Sequence, residues 1–91
     1  MNPEISPDIT DQEREKASQA MQAMAKILDE ILNGKGTPKD QRQYGFALLV
    51  YPFDQIDQSH INYIGSGKRG DVLVALKELT TRWDKYEQSL Q

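Results

Sequence analysis

The run from Tyr44 to Phe53, YGFALLVYPF, carries aromatic and branched side chains on both parities, so it reads as a strand buried on both faces. That demand is hard to meet in a chain of 91 residues. A domain of this size buries a modest fraction of its surface, and without cysteine it has neither disulfides nor thiolate metal ligands to reinforce a thin core. Cover must come from the chain's own helices or from another chain. A composition of 37% apolar and 27% charged residues describes one small domain and excludes a two-domain enzyme.

The elements around that strand follow from spacing and caps. Met1 to Ile9, with Pro3 and Pro7, reads as a flexible arm, leaving residues 10–91 as a single domain. Thr10 followed by Glu13 forms a capping box that starts a helix over 10–33. Its apolar positions Ala17, Met21, Met24, Leu28 and Ile31 fall on one stripe, and Asn33-Gly34 supplies a left-handed stop. The stripe suits a sheet beneath it or a copy of the same helix. Residues 34–43, GKGTPKDQRQ, have linker chemistry and are expected to be long and mobile. A hairpin over 44–64 follows, its first strand ending near Pro52 and its second spanning His60 to Ile64. Val72, Leu76, Leu79, Trp83 and Tyr86 repeat the helical step, predicting a second helix over 66–88 with Ser66 as N-cap, Asp71 near its first turn and Trp83 buried. The fold class is therefore α+β, helix-strand-strand-helix. One hairpin leaves raw sheet edges, so a homo-oligomer that extends or covers the sheet is expected.

Charge is uneven. Residues 1–33 hold three basic and seven acidic side chains, residues 34–70 five and three, and residues 71–91 three and four, so only the middle is basic within a chain of net charge −3. An acidic total argues against duplex binding. No apolar stretch reaches the roughly 18 residues of a membrane span, and residues 1–8 lack an export signal, so a cytoplasmic protein is expected.

The second half of the chain resembles small uncharacterised phage and prophage accessory proteins. Those proteins pair a GF-x-LL-x-FPF strand with an NYIS-N-x-x-R-x-D-[MV] strand-to-helix turn and end in an amphipathic helix. Here the pattern is carried by GFALLVYPF and by Asn62, Tyr63, Ile64, Arg69, Asp71 and Val72. Gly65-Ser66 stands where that pattern has Ser-Asn, and Gly67 and Gly70 replace commoner helix formers. The resemblance implies a phage origin, with host cytoplasm as the place of action, and implies no reaction.

The best candidate site is the strand-to-helix loop GSGKRG. Gly65, Ser66 and Gly67 let backbone amides approach a ligand, the following helix presents unsatisfied donors, and Lys68 and Arg69 add positive charge. Phosphate or carboxylate fits; a solvated capping loop explains the same residues. It is not a P-loop, because Asn62 and Arg69 occupy the positions where that motif needs Gly and Ser/Thr. Asn62 and Tyr63 point to opposite faces of a short strand; Tyr63 can stack a base while Asn62 reads its edge, or both can serve packing and backbone contacts. Lys35, Lys39 and Arg42 can fold over an anion held at Lys68 and Arg69, or remain solvated. His60, with Asp54 and Asp57 as its only neighbouring carboxylates, reads as a solvated turn residue, and Arg82 and Lys85 beside Trp83 and Tyr86 offer a cation-aromatic face. No metal or cofactor is expected. With no nucleophile pair above background, the chain reads as a non-enzyme that binds a nucleotide or other phosphate-bearing molecule, in a phage setting a sequesterer of a host immune nucleotide signal. The alternative is a protein-interaction module that inhibits a host defence complex, as anti-CRISPR proteins do.

Overall fold

The computed structural model describes residues 1–7, 9–53 and 61–89. The chain is a mixed α+β fold in the order helix, strand, strand, helix. Helix α1 spans Asp11–Asn33, strands β1 and β2 span Ala47–Val50 and Asn62–Gly65, and helix α2 spans Arg69–Ser89. The Thr10 side chain accepts a hydrogen bond from the Glu13 amide at 3.2 Å and starts α1 as the sequence predicts. Gly34 ends α1 at φ 93°, a backbone that L side chains rarely adopt, with its amide donating to the Glu30 carbonyl at 2.9 Å. The expected hairpin loop over 54–59, and His60 with Asp54 and Asp57, lie outside the described residues. No helix among the described residues is long and apolar enough to cross a membrane.

β1 and β2 pair antiparallel, with Leu48 opposite Ile64 and Leu49 opposite Tyr63. Alternation puts Phe46, Leu48 and Ile64 on the face toward α1, where Met21, Ala25 and Ile64 form the fully buried core. Met21 and Ala25 lie one turn apart on the buried side of α1, and the small Ala25 lets the helix sit close to the sheet.

The residues of the arm nearest the sheet are docked rather than loose. Glu4 exchanges two backbone hydrogen bonds with Tyr63, at 2.6 and 2.8 Å, and the Ser6 amide donates to Asn62 Oδ1 at 2.7 Å. Alternation along this segment turns Glu4 to the face of Tyr63 and sends Ile5 to the core on the opposite face. The linker is likewise tied. Asn33 Oδ1 accepts from the amides of Gln43 and Tyr44, its Nδ2 donates to the Tyr44 carbonyl and to Asp29, and residues Lys39–Gln41 wind into a short 3-10 turn.

Three further expectations change. β1 is not buried on both faces: Ala47, Leu49 and Val50 are exposed and Leu48 is half-buried, because α2 covers the second face incompletely. Ser66 does not cap α2. Its amide donates to the Phe46 carbonyl and its hydroxyl accepts from the Phe46 amide, which extends the hairpin ladder by one pair, and α2 begins at Arg69 with the Lys68 carbonyl accepting from Val72. Trp83 is not buried but 59% exposed. Val72, Leu76 and Leu79 are half-buried, whereas Trp83 and Tyr86 further along the same stripe are exposed.

Candidate functional site

Where β2 passes into α2 the surface opens into a cleft of about 490 Å³, within the range of roughly 300–1,000 Å³ common for small-molecule sites. Three segments distant in sequence meet around it. The strand-to-helix turn contributes Gly65, Ser66, Gly67 and Arg69, with Tyr63 from β2; the linker contributes Lys39 and Arg42; the arm contributes Glu4.

Each is positioned by an identifiable local cause. Tyr63 and Gly65 share one face of β2, and the Tyr63 ring folds over Gly65 so closely that a Cβ there would fall 2.9 Å from the ring's Cζ and closer still to its hydroxyl. Only glycine accommodates that ring position. The Asn33 hydrogen bonds hold Gln43 and Tyr44 against the end of α1, so the residues just before them are carried to the cleft. Arg42 Nε donates to the Thr37 carbonyl at 3.3 Å, and its Nη2 lies 3.3 Å from Asp29 Oδ2. Asp29 is a buried carboxylate, so its partnership with Asn33 and Arg42 offsets the loss of water.

Electrostatically the cleft joins three cations to one carboxylate of its own lining. Glu4 forms an ion pair with Arg69, both side chains being largely in water, so the pair is weak and open to exchange. Tyr63 offers a half-buried ring at the same cleft. Among the described residues the amides of Arg69, Gly70 and Asp71 have no hydrogen-bond partner, as befits the first turn of a helix.

Of the residues singled out in the sequence, Tyr63, Gly65, Ser66, Gly67 and Arg69 line the cleft and Asn62 and Lys68 do not. Asn62 instead accepts from the arm. Lys39 and Arg42 line the same cleft as Arg69, whereas Lys35 is not part of the lining. Glu4 was not foreseen: a single bridge leaves no periodicity to read. Arg82 pairs with Glu78 at i,i+4, separate from the cleft. No group of three or more His, Cys, Asp or Glu side chains among the described residues could hold a metal ion. Comparison with protein-family models, curated proteins and solved structures gives no match.

Proposed function

We propose that this chain is a non-catalytic binding protein that takes a phosphate-bearing ligand in the cleft between the arm, the linker and the strand-to-helix turn. The observation that carries the reading is the convergence of Lys39, Arg42 and Arg69 from separate segments on one cavity with a half-buried aromatic ring at its wall. Guanidinium forks match phosphate oxygens bidentately, and an aromatic face stacks a base. Ser66, the hydroxyl of the turn, accepts from the Phe46 amide and has no activating base among its hydrogen-bond partners, which favours binding over group transfer. The resemblance of residues 44–86 to phage accessory proteins directs the choice of ligand to nucleotide signals of host immunity, and sequestration of such a signal is the role this reading assigns.

Thermal-shift titration with inorganic phosphate and with linear and cyclic nucleotides tests it. At least one nucleotide should raise the melting temperature of the wild type, and the Lys39→Ala, Arg69→Ala double variant should lose that rise. A nucleotide effect that survives in the double variant refutes the assignment of the cleft.

A second reading rests on a different observation. Met24, Ile27 and Ile31 form an exposed row on α1, with Ile27 and Ile31 56% and 73% accessible, the kind of face that docks on a protein such as a host defence complex. In an infection assay that reading expects Ile27→Lys with Ile31→Lys to abolish protection and the cleft variant to retain it; the ligand reading expects the reverse.

A further inference from the structure

α2 and the sheet beneath it do not match in size. A 21-residue helix is about 31 Å long, whereas two four-residue strands make a patch about 13 Å by 10 Å. On one side of the helix Val72, Leu73 and Leu76 line a hollow with Leu49 of β1 and with Ile61 and Tyr63. On the other side Val72, Ala75, Leu76 and Leu79 line a hollow with Gly45, Phe46 and Ala47. The stripe continues in Trp83 and Tyr86, 59% and 65% exposed.

Among the described residues the outer edge of β1 is open. Tyr63 spends its amide and carbonyl on Glu4, so Asn62 and Ile64 are the β2 residues that bond to β1, through Val50 and Leu48. The backbone groups of Ala47 and Leu49 therefore point outward, and among the described residues no strand pairs with them. From Ala47 to Phe53 there is no charged side chain, and the only proline, Pro52, lies beyond the strand, so neither charge nor proline blunts this edge.

The exposed surface of the whole chain is large for its mass. It amounts to 7515 Å² where a folded 10.4 kDa monomer has about 5,400 Å² by the usual scaling. The radius of gyration is 15.4 Å against about 12 Å for a compact chain of this length.

We propose that two copies of this chain join β1 to β1 across a two-fold axis, forming a continuous sheet in which the exposed later turns of each α2 help to cover the partner's strands. An antiparallel edge is self-complementary, so a second copy satisfies the outward groups of Ala47 and Leu49 with its own. The arrangement also supplies the second-face cover that YGFALLVYPF requires.

Light scattering after size exclusion, at fixed concentration, tests this independently of any ligand. The wild type should have about twice the mass of one 10.4 kDa chain. Leu49→Lys, which charges the edge, should become monomeric while its circular dichroism keeps the helical signal. Trp83→Glu changes a residue outside the core, so it folds whatever Leu49→Lys does, and it should raise the dissociation constant at least tenfold. Ile27→Lys on α1 should stay dimeric. A monomeric wild type, or a dimer that Ile27→Lys dissociates and Trp83→Glu does not, overturns the proposal; the thermal-shift response of the cleft remains a separate readout in either case.

Discussion

Asn33→Ala removes the side chain that makes the most hydrogen bonds between the linker and the end of α1. Asn33 accepts from Gln43 and Tyr44 at 3.0 and 2.9 Å, and it donates to the Tyr44 carbonyl at 2.9 Å and to Asp29 at 3.0 Å. Buried hydrogen bonds are worth about 1 kcal/mol each net, but Gln43 and Tyr44 are exposed and water can replace what they lose, so about 0.5 kcal/mol per linker bond is appropriate. The bond to buried Asp29 keeps its full value of about 1 kcal/mol. Alanine's better helix propensity returns about 0.5 kcal/mol. The net loss is about 2 kcal/mol, a large share of the stability expected for 91 residues. With a urea slope near 1 kcal/mol/M for so small a domain, the midpoint should fall by about 2 M. The assay is urea unfolding followed by circular dichroism at one protein concentration. Because Lys39 and Arg42 hang from the clamped segment, the same variant should also bind anions more weakly. A midpoint within about 0.3 M of the wild type would show that the linker is held by something else.

Met21→Ala should cost about 3 kcal/mol, because the core has three fully buried apolar residues and cannot close over the gap; a chemical melt that still shows a cooperative, near-native midpoint would refute this. Gly34→Ala should cost about 1 kcal/mol, since φ 93° is strained for alanine and its Cβ would stand 3.1 Å from Thr37 Oγ1; an unchanged melting temperature would count against the cap. Gly65→Ala should leave helix content intact and weaken nucleotide binding, because the new methyl displaces the Tyr63 ring from the cleft wall; undiminished affinity would mean that the ring position is irrelevant.

The two helices and the paired strands were legible because each has a repeated signal: the Thr10 cap and apolar stripe for α1, dense branched residues ending before Pro52 for β1, and the Val72 to Tyr86 step for α2. The features that build the cleft have no repeat. Glu4 and Ser6 join the sheet through a single bridge and one side-chain acceptor, too short a segment for alternation to register. Asn33 reads as half of an ordinary helix stop, and its amide's second use depends on where the chain returns eleven residues later. Ser66 shows the limit of cap reasoning: serine before a helix can serve the helix or the preceding strand, and here the proximity of Phe46 decides for the strand. Trp83 kept its place on the stripe but lost its cover, because spacing specifies a helix face and says nothing about the extent of the sheet opposite.

The most direct test of a phosphate-binding cleft uses its own carboxylate. Glu4 pairs with Arg69 inside the cleft, so it competes with any anion for that guanidinium. Calorimetric titration of inorganic pyrophosphate should show tighter binding to Glu4→Gln than to the wild type, by severalfold, and at least tenfold weaker binding to Arg69→Ala. Equal affinities across the three proteins, or no binding to any of them, would contradict the account.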